Sequence, residues 1–411
     1  MMKTKYFIQA LILTGMLIVT SCDFNFSKID QPNSIELNLK SAEIIQADQQ
    51  FAFELFEKVC SVSTEKNIMI SPLSVSYALG MTYNGASGTT LDAFVDVLHF
   101  DGLTNQEVNE SYKDLVGQLV QLDDRVEFSL ANSIWYREGA NVLDSFISTN
   151  QEYFDAAVEE IDFNDPGAKD VINGWIEDKT NDKIQDMLDA IPPGVYMYLI
   201  NAIYFNAKWK YEFDKSDTYT GSFNLDDNST REVDYMKVEG DFYLTSHADY
   251  SAVEMPYGDS AFSMVALLPH SEIPLDTFIR EFGLDTWNAR DTYSSTQKVT
   301  IELPKFKYGF KDLLNQPLSD LGLAVAFGNG ADFSRITQET DLYISRVIHQ
   351  SFIDVQEEGT EAAAATIVEL RENAVQGSSI VFSRPFMYVI KENSTGAVIF
   401  MGKVGSPEYE D

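Results

Sequence analysis

The stretch EEGTEAAAATIVELRENAVQ, Glu357 to Gln376, decides how this chain is read. Its four consecutive alanines favour helix, because alanine has the best helix propensity. The flanks oppose that reading. Gly359 and Thr360 stand on one side, and Thr366, Ile367 and Val368, β-branched residues that favour strand, on the other. At period two the conflict sharpens. Thr360, Ala362, Ala364, Thr366, Val368 and Leu370 are all small or apolar, and none is charged. The other parity, Glu361, Ala363, Ala365, Ile367, Glu369 and Arg371, carries every charge, with Ile367 the one imperfect position. That is the pattern of a strand with one buried face. Yet alanine exposes little apolar area, so the same residues tolerate water. The segment suits an exposed loop or helical turn, and also a strand inside a sheet.

The rest of the chain bounds the setting. It has 411 residues, 45% of them hydrophobic and 12% aromatic, enough for a large buried core. With 29 Lys and Arg against 64 Asp and Glu, the net charge is −35. Such a surface repels phosphate backbones, which excludes a nucleic-acid partner, and it keeps a monomer in solution. Two cysteines, Cys22 and Cys60, exclude a disulfide framework and a Cys-rich zinc site. The four histidines lack any paired-ligand spacing, so neither metal nor cofactor is expected. No GxSxG elbow, phosphate loop or dinucleotide fingerprint occurs. Paired carboxylates such as Glu159-Glu160 and Asp226-Asp227 read as solvated surface, and the chain is not expected to be an enzyme.

The N-terminus reads as a targeting segment. Lys3 and Lys5 precede an apolar run from Tyr6 to Val19, short of the roughly 20 residues a membrane span needs. Val19-Thr20-Ser21-Cys22 resembles a bacterial lipobox, in which Cys22 is lipidated and becomes the new N-terminus. The expectation is a lipoprotein signal peptide over 1–21, membrane attachment through Cys22, and export to the bacterial cell envelope, at the outer membrane or cell surface. The alternative is an ordinary secretory signal with a chance cysteine. Residues 22–47 are polar without clear period and read as a tether, followed by one domain over 48–408.

Within that domain FAFELFEKV (51–59) suits a buried helix. Ser71 can cap the next helix, Pro72 suits its first turn, and Gly85 stops it after Asn84. AKDVINGWIEDKT (168–180) is a further helical pattern, whereas 197–205, 263–269, 299–306, 386–390 and 397–404 have strand lengths and composition. Helices followed by many long strands predict an α+β class.

EEGTEAAAAT closely resembles the hinge of the reactive-centre loop in inhibitory serpins. Other stretches match that family's motifs in order: NIMISPLSVSYAL (67–79), ANSIWY (131–136), INAIYFNAKW (200–209), VEMPYG (253–258), LPKF (303–306), GADFS (330–334), SRVIHQSFIDVQEEGTEAAAAT (345–366), then SRPFMYVI and FMGKV. The resemblance runs from about residue 48 to 407. It implies the serpin fold, about nine helices packed on three β-sheets, with an exposed loop over about 357–380. It also implies the activity, suicide inhibition of an endopeptidase by loop cleavage and insertion into the main sheet. The alternative is a non-inhibitory serpin that binds or carries.

Residue by residue, the resemblance places the hinge at Glu357, Glu358, Gly359, Thr360, Glu361, Ala362, Ala363, Ala364, Ala365 and Thr366. Ser71, Ser74, Asn201 and His349 match the cluster beneath the sheet where strands part. Lys305 and Glu357 match an ion pair at the top of the sheet, with Trp209 beside it. Counting seventeen residues from Glu357, the family's usual hinge length, puts the bait bond at Asn373-Ala374, and counting back from Pro385 gives Ala374-Val375. The first is favoured. Arg371 would suit a trypsin-like protease but would leave a short hinge. Small neutral residues point to an elastase- or subtilisin-like serine protease, with a cysteine protease as the second class.

Overall fold

In a computed structural model of the chain, the described residues are 33–36, 39–339, 341–360 and 378–409. Among them nine α-helices form: α1 (Leu39–Val62), α2 (Pro72–Tyr83), α3 (Gly88–Val97), α4 (Asn105–Leu119), α5 (Asp144–Phe154), α6 (Ala168–Lys179), α7 (Leu275–Glu281), α8 (Leu284–Ala289) and α9 (Asn315–Leu321). The strands are β1 (Asn67–Ile70), β2 (Val126–Arg137), β3 (Ala157–Ile161), β4 (Met197–Lys208), β5 (Tyr219–Asn224), β6 (Thr230–Ser246), β7 (Tyr250–Pro256) and β8 (Phe262–Pro269). They continue with β9 (Ser294–Pro304), β10 (Phe306–Leu313), β11 (Ile348–Gln356), β12 (Gly359–Thr360), β13 (Ser378–Val381), β14 (Phe386–Glu392) and β15 (Val398–Val404).

The strands assemble into a six-stranded sheet, order β10-β11-β12-β4-β2-β3, and a nine-stranded one, order β1-β15-β14-β8-β7-β6-β9-β13 with β5 beside β6. Where three β-sheets are expected, hydrogen bonds join the described strands into two. Strand β6 is 17 residues long. Its residues 230–235 pair with β5, 235–245 with β9 and 243–246 with β7, so one strand joins β5 and β9 to β7.

Two sequence readings shift. The run 299–306, read as one strand, is divided between sheets: β9 ends at Pro304 and β10 starts at Phe306. Pro304 has no N–H to continue a ladder, and Lys305 N–H donates to Asp234 O at 2.8 Å, which leaves Lys305 at the junction of the two sheets. The stretch 22–47, read as a tether, is helical from Leu39. Ile44, Ile45 and Ala47 are buried, and so is Ile35, whose N–H donates to Ser394 Oγ. Glu43 and Gln46 between them face water and mask the inward positions.

Helix α2 forms as its residues dictate. Ser71 Oγ accepts from Ser74 N–H at 3.2 Å, Pro72 opens the first turn, and Asn84 caps the C-terminus. Nearly every residue of α2 is buried, because the helix runs through the interior between α1, β4 and β15. The cores follow strand parity. Ile203, Phe205 and Ala207 of β4 pack between the two sheets, while Ile200 and Ala202 pack beneath Ile172 and Ile176 of α6.

Candidate functional site

The quoted stretch enters the described structure as β12. Thr360 pairs with Val355 of β11 and Ala207 of β4, and Gly359 with Gln356 and Lys208. Thr360, the first residue of the expected buried parity run, is therefore strand. Among the described residues, β4 and β11 are joined in the sheet only through these two. Gly359 sits at φ +155°, and a Cβ there would lie 2.2 Å from Ala207 O and 2.5 Å from Lys208 Cα. Only glycine fits so close to β4. Thr360 is buried, and its hydroxyl lies 2.8 Å from Tyr257 Oη.

Below Thr360, between the two strands, lies a cavity of about 20 Å³, room for one or two waters. Ile203 and Phe205 of β4, and Ser351 and Asp354 of β11, contribute to its lining. It lies where a lengthening β12 would run.

Above β12, the turn Glu357-Glu358 is gripped from several sides. Lys305 Nζ lies 3.2 Å from Glu357 Oε2, and Thr218 Oγ1 donates to Glu357 Oε1 at 2.8 Å. Burial pushes the Glu357 carboxyl up, but its own backbone N–H, Thr218 and Lys305 together outweigh that and hold it below the usual range. Trp209 is fully buried. Its Nε1–H donates to Gln356 O at 2.9 Å, and its backbone N–H to Glu358 O at 3.0 Å. The indole stacks on Tyr257 with centroids 4.4 Å apart, linking the turn to the hydroxyl pair at Thr360. Lys215 reaches Glu358 at 2.7 Å from an exposed position, so that pair contributes about 1 kcal/mol or less.

Beneath the sheet, Ser71, Ser74, Asn201 and His349 meet as one network. Ser71 N–H donates to His349 Nε2 at 3.2 Å, and Ser71 Oγ–H to Ile399 O at 2.8 Å. Ser74 Oγ–H donates to Asn201 Oδ1. Burial lowers the His349 pKa to about 4, so Nε2 is free to accept at neutral pH. The network extends to Asn132, whose amide joins Asn201 at 2.7 Å and Phe154 O at 2.6 Å, tying β2 to α5.

Sequence reasoning thus placed both groups, and the structure brings each together. It missed Asn132, Tyr257, Thr218 and Lys215 as partners. Asn132 and Tyr257 do lie inside quoted motifs, ANSIWY and VEMPYG. The remaining hinge residues Glu361 to Thr366, the bait candidates Asn373, Ala374 and Val375, and Cys22 lie outside the described residues.

Comparison with known proteins agrees with this geometry. The family model described as serpin (serine protease inhibitor) matches residues 46–407. A serpin-like protein of Methanosarcina acetivorans is 33% identical, covering 99% of this chain and all of its own length. Tengpin, a thermophilic serpin solved in the native state, superposes with a TM-score of 0.82 at 30% identity, covering 90% of this chain and 95% of its own. Human thyroxine-binding globulin superposes with the same TM-score at 26% identity, covering 90% of this chain and all of its own. The chain belongs to the serpin family.

Proposed function

We propose that this chain is an irreversible suicide-substrate inhibitor of serine endopeptidases, with cysteine endopeptidases as a second target class. The supporting observation is β12: Gly359 and Thr360 lie as strand between β11 and β4, and the next residues of the same parity, Ala362 and Ala364, are small and uncharged. A protease serine attacks the bait carbonyl, at Asn373 in this reading, and the Ala374 amine leaves, giving an acyl-enzyme. The freed hinge extends β12 downward before water completes hydrolysis, strand addition for which serpins are a known example. About twelve added residues at roughly 3.3 Å each carry the protease about 40 Å. Turnover is not part of this cycle; the chain is consumed.

Lys305, Glu357 and Trp209 hold the turn from which the new strand grows. Ser71, Ser74, Asn201 and His349 hold the sheet where β4 and β11 part. The bait residues favour an elastase- or subtilisin-like protease. The lipobox supports export and attachment of the inhibitor to a bacterial envelope membrane through Cys22, at the outer membrane or cell surface. Radiolabelled palmitate incorporated by wild type and lost in Cys22→Ala would support that attachment; label retained in the variant would sink it.

The likeness to a thyroxine-binding globulin favours a second reading, a carrier without inhibition. Incubation with pancreatic elastase and with subtilisin separates the two. The inhibitor reading expects an SDS-resistant complex with one of them, and the carrier reading expects cleavage with no complex.

A further inference from the structure

The chain's last described residues, 405–409, are held at every position. Gly405 and Ser406 N–H both donate to Asn67 Oδ1 at 3.0 Å. Arg231 contacts Ser406 Oγ, Pro407 O and the Glu408 carboxylate. Lys307 N–H, near the start of edge strand β10, donates to Glu408 O at 2.7 Å. Tyr409 then lands on the insertion site itself. Its ring centroid lies 4.1 Å from Lys305 Nζ, and its hydroxyl donates to Gln356 Oε1 at 3.1 Å. Lys305 holds Glu357, and Gln356 is the residue before it. One ring therefore contacts Lys305, one of the groups that hold the hinge turn, and the side chain of the residue just before that turn. The family model ends at residue 407, so Glu408 and Tyr409 lie beyond it.

We propose that Tyr409 is a positioning residue for loop insertion: the C-terminal tail clamps Lys305 and Gln356 and so holds the Glu357-Glu358 turn still while the loop is uncleaved. The clamp rests on the inhibitory reading above for its purpose. Its physical basis does not. Lys305 is only 14% exposed, and in that partly dry setting the π face of the ring steadies the ammonium better than water would. With the ring removed, Lys305 gains freedom, its grip on Glu357 weakens, and β12 lengthens without cleavage. The molecule then passes into a more stable form that no longer inhibits.

The test follows that conversion directly, in the full chain and without a protease. Wild type, Tyr409→Leu, Tyr409→Phe and a chain ending at Pro407 are incubated at 37 °C. Samples are then run on urea-gradient gels, where the inserted form resists unfolding. Tyr409→Leu and the truncation are expected to convert about five-fold faster than wild type, a ratio within the range of one lost cation–π contact. Tyr409→Phe keeps the ring over Lys305 but loses the hydroxyl bond to Gln356, and is expected to convert at a rate between those of wild type and Tyr409→Leu. Equal rates in all four overturn the proposal. So does a Tyr409→Leu chain that only unfolds at lower urea without converting faster, since that is a merely structural role. If wild type forms no complex with a protease while the variants still convert faster, the inhibitory reading fails and the clamp stands.

Discussion

The top of the six-stranded sheet and the network beneath it act on the same opening by different physics. The top is ionic and partly wet. Lys305–Glu357 and Lys215–Glu358 grip the turn above β12, and both respond to charge and salt. The lower network is neutral and dry, with Ser71, Ser74 and His349 all buried and joined by hydrogen bonds. An ionic grip is adjustable and releases gradually. A buried neutral network is either satisfied or expensive, because an unpaired polar group there costs about 1–3 kcal/mol. In the proposed mechanism the entry point can therefore be tuned by peripheral groups, whereas the line along which β4 and β11 would part is intolerant of change.

Thr360 is where the largest effect is expected, because it lies in β12 between the ionic turn above and the neutral network below. Thr360→Arg puts a charge where the hydroxyl is now buried beside Tyr257. Burying it unpaired costs several kcal/mol. The expected outcome is a protein that proteases cleave without forming complex, read as at least a ten-fold drop in the complexed fraction on SDS gels. Unchanged complex yield would mean that insertion does not run through β12.

Acid pH sharpens the contrast, because the two regions titrate in different windows. Burial lowers His349 from 6.5 to about 4. The unfolded chain therefore takes up a proton that the folded chain refuses, and stability is lost as pH falls from about 6.5 towards 4, by up to about 3 kcal/mol. Glu357 works lower down: its depressed pKa gives stability that is complete above its ordinary 4.5 and lost as pH falls through the folded value. At pH 5.5 only the lower network is under load. Buried Asp48, its pKa raised to about 7, contributes with the opposite sign in both proteins, so the readout is the difference: from pH 7.5 to 5 the urea midpoint of wild type should lose ground relative to that of His349→Gln. Parallel slopes would remove His349 as the titrating group.

At the top, Lys305→Met removes one partner of a largely buried pair and leaves the Glu357 carboxylate less compensated. A destabilisation of about 2 kcal/mol is expected in urea unfolding. Lys215→Ala should change stability by less than about 1 kcal/mol, because its ammonium is exposed. An equal loss for the two lysines would contradict the division between gripped and peripheral charges.

Much of this was legible in the residues. The parity of Thr360, Ala362 and Ala364 stated which face of the hinge could be buried, and Thr360 is buried as that parity requires. Ser71 announced a helix cap and also serves the network, so one side chain carries both signals. What stayed hidden depended on contacts distant in sequence. Tyr257 meets Thr360 across 103 residues, and Tyr409 meets Gln356 across 53. Local pattern carries no information about either. Helix α1 was read short at its start because its inward Ile44, Ile45 and Ala47 are set among Glu43, Gln46 and Asp48. The fusion of two strand groups through β6 depends on strand length and pairing, which alternation alone does not encode.

Inhibition by this chain requires that loop cleavage traps the protease. Of pancreatic elastase and subtilisin, each titrated with the full chain, one should lose activity at a near one-to-one ratio, leaving an SDS-stable complex. Mass spectrometry of the same sample should find a released C-terminal fragment that begins at Ala374. Elastase and subtilisin that both stay active while the loop is cut to completion would mean that cleavage does not trap the protease.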